Sequence, residues 1–109
     1  MNTIRTISLL LIAGLAEIIG VYLIWGWIRN SRPAWWALLG IGALFVYGLT
    51  QTLQALNFGR VFSAYGGIFI VLALVWGWLV DGQTPDRWDW IGVSFALLGA
   101  SIILWAPRP

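Results

Sequence analysis

Between Ile7 and Ile28 the chain reads ISLLLIAGLAEIIGVYLIWGWI, 22 residues in which Glu17 is the only charged side chain. About 20 apolar residues in a helix rise about 30 Å, the thickness of a bilayer's hydrocarbon core, so the stretch predicts a membrane-spanning helix. Working outward, three more apolar runs are bounded by charge, proline or polar clusters: 34–53, 61–80 and 90–106. The expected fold is all-α, an integral membrane bundle of four transmembrane helices, with residues 1–109 forming one transmembrane domain. Composition agrees with this reading. The chain is 61% hydrophobic and 9% charged, with a mean hydropathy of +0.87. A soluble domain carries about a quarter charged residues, so this surface is not built for water.

The nine tryptophans are an independent check. Trp25, Trp27, Trp35, Trp36, Trp76, Trp78, Trp88, Trp90 and Trp105 all fall within a few residues of an expected helix end. Indole is amphipathic and prefers the headgroup level, which makes these an aromatic belt. The connecting segments, 29–33, 54–60 and 81–89, are too short to hold a domain. Any function is therefore expected within or between the helices. Arg5 followed by an apolar run also resembles a secretory signal, but the run is long for that purpose and lacks a small-x-small cleavage site.

With no Lys, His or Cys, thiolate chemistry, imidazole catalysis and disulfides are absent. No cofactor, metal site or enzymatic activity is expected. A scattered net charge of +2 gives no footprint for nucleic acid.

Glu17 falls near the middle of the first span. A charge at that depth costs at least about 2.5–3.5 kcal/mol, and ionisable groups inside membranes usually serve function. On its helical face, Ala13, Gly14, Gly20 and Val21 are expected to leave room beside the carboxylate, with Gly14 and Gly20 lining a cavity. The reading is an ion-coupling or cation-binding carboxylate; the plainer one is a protonated Glu bonded to a neighbouring helix. On the second helix Tyr47, Gln51 and Gln54 share a face. They could line a wet passage toward Glu17, form a hydrogen-bonding seam, or mark a helix end emerging into water. Small-residue stripes at Gly66, Ile70, Ala73 and Gly77, and at Gly92, Ala96, Gly99 and Ala100, permit close helix approach. Arg60 is placed where the third helix enters the membrane, either snorkelling to phosphate or guarding a cavity mouth.

Ala16-Glu17-Ile18-Ile19-Gly20 resembles the glutamate motif of the small multidrug resistance transporters, and Gln51-Thr52-Leu53, Ala64-Tyr65, Gly82-Gln83 and the Gly92/Gly99 pair follow in matching order. A closer resemblance, over nearly the whole chain, is to the YnfA family of small bacterial membrane proteins. It rests on Gly59-Arg60-Val61, Ala64-Tyr65-Gly66-Gly67, Val80-Asp81-Gly82 and Asp89-Trp90. The resemblance implies proton-coupled export by an antiparallel dimer. It also implies that Glu17 binds proton and substrate, that Tyr65 is a cavity tyrosine, and that Gly92 and Gly99 belong to the dimer interface. One departure is Ile68, where multidrug members carry Trp three residues after the tyrosine. Its loss weakens a cation–π cage and, with it, the case for aromatic drug cations.

Four spans put Arg5, Arg60 and Arg108 on one side of the membrane and Arg29, Arg32 and Arg87 on the other. Arginine bias sets orientation, and three against three favours neither direction. A chain inserted both ways would supply, as a dual-topology homodimer, the inverted symmetry that many transporters build from repeats. The leading expectation is a secondary transporter in the bacterial inner (plasma) membrane. It would exchange protons for a small cationic substrate at Glu17, with Tyr65, Tyr47 and Gln51 contributing and Gly92, Ala96 and Gly99 joining two chains. The alternative is a non-transporting membrane subunit that docks a larger partner. An ion channel would need a more continuous polar path than the third and fourth helices offer.

Overall fold

A computed structural model describes residues 2–108 of the chain as four helices, with no strand among them: α1 Thr3–Arg29, α2 Trp35–Gln51, α3 Phe58–Leu79 and α4 Arg87–Trp105. Three of the helices are at least 18 residues long and apolar enough to cross a membrane, and α2 is a shorter apolar helix of 17. Large apolar side chains such as Leu38 and Phe95, about 70% exposed, point outward on every helix. That surface suits lipid.

Three helices begin earlier than the apolar runs predict, each because a polar residue caps it. Asn2 accepts from Arg5 N at 3.1 Å and Asn57 from Arg60 N at 2.9 Å. At α4, Asp86 and Asp89 form a reciprocal capping box, with bonds of 2.8 and 3.0 Å. Such caps satisfy the free N–H groups of a first turn. Helix α2 ends earlier than expected. Thr50 turns its hydroxyl onto Val46 O at 2.8 Å, and Thr52 N and Leu53 N donate tight three-residue bonds to Leu49 O and Thr50 O.

The chain forms two compact units, a hairpin of α1 and α2 that runs to Ala55 and a hairpin of α3 and α4 that begins at Leu56. In the first, α1 buries Thr6, Leu10, Ala13, Gly14, Ile18 and Gly20. The two backbones touch at Gly20 and Gly40. A Cβ on Gly20 would lie 2.9 Å from Gly40 O, and one on Gly40 would lie 2.7 Å from Gly20 O. Membrane helices gain attraction from such close approach. The open end of this hairpin is clasped twice, by Arg5 Nη2 donating to Leu53 O (3.0 Å) and Gln54 Nε2 donating to Thr6 O (3.1 Å).

In the second hairpin, the contact glycine is Gly67. A Cβ there would meet Ala100 Cβ at 2.7 Å and Ala96 O at 2.8 Å, whereas one at Gly66 or Gly77 would meet nothing within 4 Å. The packing face of α3 is thus rotated by one residue from the expected Gly66/Gly77 stripe.

The two hairpins repeat each other. Trp25-Gly26-Trp27 returns as Trp76-Gly77-Trp78, and the buried pair Leu10 and Ala13 returns as Val61 and Ala64, in each case 51 residues on. The turn devices match as well. Gly26 O accepts Asn30 N (3.0 Å) and Arg32 N (3.2 Å) around Ser31 at φ 55°, and Gly77 O accepts Asp81 N (3.1 Å) and Gln83 N (2.9 Å) around Gly82 at φ 71°. A left-handed residue releases each helix into its turn.

Candidate functional site

The register of the first hairpin places its polar residues. Gly20 lies level with Gly40, and Thr6 with Gln54. By interpolation, Glu17 is level with Ala43, Ala13 with Tyr47 and Leu9 with Gln51. Glu17 continues the buried line Thr6, Leu10, Ala13, Gly20 at helical spacing and is itself half-buried. Its carboxylate therefore belongs to the edge of the seam between α1 and α2, not to the outer face of α1.

From α2, half-buried Tyr47 lies within electrostatic reach of Glu17 and beside Gln51. At 1.5 Å per residue, Tyr47 is about one turn, or about 6 Å, and Gln51 about two turns, or about 12 Å, from the level of Glu17 toward the clasped end. The Gln51 carboxamide is the anomaly of the seam. Its Nε2 and Oε1 are both buried, and the neighbouring Tyr47 hydroxyl bonds to the carboxamide. A carboxamide can make up to four hydrogen bonds and buried ones are nearly always paired, so the capacity that Tyr47 leaves is available to a hydrogen-bonding guest. Gln54, grouped with Tyr47 and Gln51 by spacing, instead closes the hairpin on Thr6 O.

The other expected residues are distributed as follows. Gly14 is buried on α1. Gly20 was expected to leave space beside the carboxylate, but its face is filled by Gly40 and Leu44, because the helices cross there. Tyr65 lies in the second hairpin, 3% exposed, with its ring edge-on to Phe62 at 6.3 Å and tilted against Phe69 at 5.5 Å. On α4, Ala96 offers its backbone to Gly67, while a Cβ on Gly92 or Gly99 would meet nothing within 4 Å. Arg60 is exposed in the first turn of α3. No group of three or more His, Cys, Asp or Glu that could hold a metal occurs among the described residues. Spacing alone missed Gly40, Gly67 and the repeated turn device. The recurring Trp-Gly-Trp was the visible signal for the last.

Residues 3–109 match the model of the family described as "Uncharacterised BCR, YnfA/UPF0060 family". The chain belongs to the YnfA/UPF0060 family. Its relatives include a UPF0060 membrane protein of Bacillus licheniformis, 55% identical over 103 residues, covering 94% of this chain and 95% of the relative. Another from Bacillus subtilis is 56% identical over 104 residues, again covering 94% and 95%. A third, from Herpetosiphon aurantiacus, is 50% identical over 110 residues, covering 99% and 100%. No solved structure matches the chain. This YnfA-family chain is a membrane protein, as its bacterial relatives are named and as its apolar helices require.

Proposed function

We propose that this YnfA-family protein is a proton-coupled secondary transporter of the bacterial plasma membrane, exporting a small cationic compound. What supports the reading above all is the polar line in the first hairpin: Glu17, Tyr47 and the buried Gln51 carboxamide along one interhelical seam. A carboxylate held there can be neutralised by a proton or by a cation, and the exchange of one for the other couples their movements. Tyr47 and Gln51 supply hydroxyl and amide groups on the way from Glu17 to the clasped end, where Arg5, Thr6 and Gln54 stand. The working unit is an antiparallel homodimer. Even division of the arginines supports it, and so do the open faces at Gly92 and Gly99.

The test is proton release on substrate addition in weakly buffered detergent. Candidate amines and quaternary cations would be screened on the parent chain and on Glu17→Gln. A responding cation should release protons from the parent and release none from the variant, while the helical content of the two is equal. Full release from Glu17→Gln would overturn the assignment of Glu17. Silence of the parent toward every cation, and no cation flux in liposomes under a pH gradient, would favour the docking-subunit alternative.

A further inference from the structure

The two hairpin tips share a backbone device and a Trp-Gly-Trp lead-in but have opposite charge. The first tip, residues 29–36, carries Arg29 and Arg32 and no acid. The second carries Asp81, Asp86 and Asp89 against Arg87 alone. At the first tip both guanidiniums lie over indole rings, Arg29 at 4.8 Å from the Trp25 centroid and Arg32 at 5.3 Å from that of Trp36. The Trp36 ring is in turn laid across α1 at Gly26, where a Cβ would meet it at 2.7 Å and the Arg32 stem at 3.5 Å. Both arginines are exposed, and neither has a carboxylate partner among the described residues. Beginning at Arg29 and extending down α1 toward the middle of the helix is an open apolar groove of about 240 Å³, lined by Val21, Ile24, Trp25 and Ile28.

We infer that this tip is a binding site for one anionic phospholipid, with its phosphate between Arg29 and Arg32 and an acyl chain in the groove. Charge complementarity selects the occupant. Guanidinium binds phosphate oxygens in a planar, often bidentate fashion, and stacking on indole holds each fork at headgroup level with less freedom to lose. An acyl chain satisfies a groove that is apolar throughout and opens to the bilayer. Arg87 supplies the internal control. It too stacks on a tryptophan, at 5.0 Å from Trp88, but Asp86 and Asp89 beside it cancel its attraction for an anionic headgroup.

The experiment is native mass spectrometry of the full chain released from vesicles of equimolar phosphatidylglycerol and phosphatidylcholine. Arg29→Gln, Arg32→Gln, the double variant and Arg87→Gln are compared with the parent. Each basic residue near an anionic surface typically contributes about a fivefold preference. Retention of phosphatidylglycerol should therefore fall about fivefold with either single change at the first tip and about 25-fold with the double, while Arg87→Gln leaves it unchanged. Equal retention of the two lipids by the parent would overturn the site, as would an Arg87→Gln loss as large as that of Arg29→Gln. Ile24→Asn tests the groove: retention of lysophosphatidylglycerol and its two-chain parent should both fall. Unchanged retention would overturn the acyl part of the assignment.

Discussion

Gln51 is the residue on which stability and function are most directly opposed. Its buried carboxamide bonds to Tyr47, and leaving the rest of its hydrogen-bonding capacity unmatched costs about 1–3 kcal/mol, a cost that side chains of similar volume without polar atoms avoid. Gln51→Leu should accordingly raise the thermal stability of the purified protein by roughly 1 kcal/mol, and substrate-driven proton release should weaken about tenfold as the guest loses its amide partner. Thermal unfolding in detergent and a proton-release titration read the two effects separately. A less stable Gln51→Leu would show that the carboxamide is already satisfied in the membrane and would remove it from the site. The sequence made Glu17 legible because a lone carboxylate among 22 residues needs no partner to be noticed. Tyr47 and Gln51 were visible by spacing but could not be told from Gln54. Only the register set at Gly20 and Gly40 shows that Gln54 reaches the Thr6 carbonyl and closes the hairpin.

At the scale of elements, the four helices were legible to within four residues at each end, because bilayer thickness and hydropathy set their number and length together. The ends were missed where a polar cap carried the helix beyond its apolar run, as at Asn2, Asn57 and Asp86. The packing faces were less legible. Lipid-facing and partner-facing residues are alike apolar, so periodicity could not choose between neighbours such as Gly66 and Gly67. Contact with the second helix makes that choice. The same contrast gives a prediction within α2. Gly40 and Gly42 look equivalent in sequence, yet a Cβ at Gly40 would be driven against the Gly20 carbonyl and one at Gly42 would meet nothing within 4 Å. Gly40→Ala should destabilise the hairpin by about 1–3 kcal/mol through overpacking. Gly42→Ala should be neutral or stabilising by about 0.5–1 kcal/mol, since alanine loses less backbone freedom in a helix. Melting temperatures in one detergent check both, and equal effects would show that the crossing point lies elsewhere.

For the whole molecule, the question is how two copies would meet, and the second hairpin narrows the answer. Its internal contact uses Gly67 against Ala96 O and Ala100 Cβ, so the small residues of α4 are divided between two duties. Ala100 is committed to its own hairpin. Gly92 and Gly99 are seven apart, which at 3.6 residues per turn returns them to nearly the same face, and both faces are open. A leucine at position 99 therefore has room within its own hairpin but would hold a partner helix away, in a setting where close backbone contact supplies the attraction. Gly99→Leu should express and fold like the parent, lose crosslinking as a dimer in native membranes, and lose transport while Glu17 is intact. Gly67→Leu is the counterpart, since its side chain would be forced into the Ala96 backbone; it should express poorly, because the hairpin itself cannot close. A well-expressed Gly99→Leu that still crosslinks would exclude α4 as the seam. A Gly99→Leu that fails to express, as Gly67→Leu is expected to, would mean that Gly99 belongs to the internal packing of the chain after all.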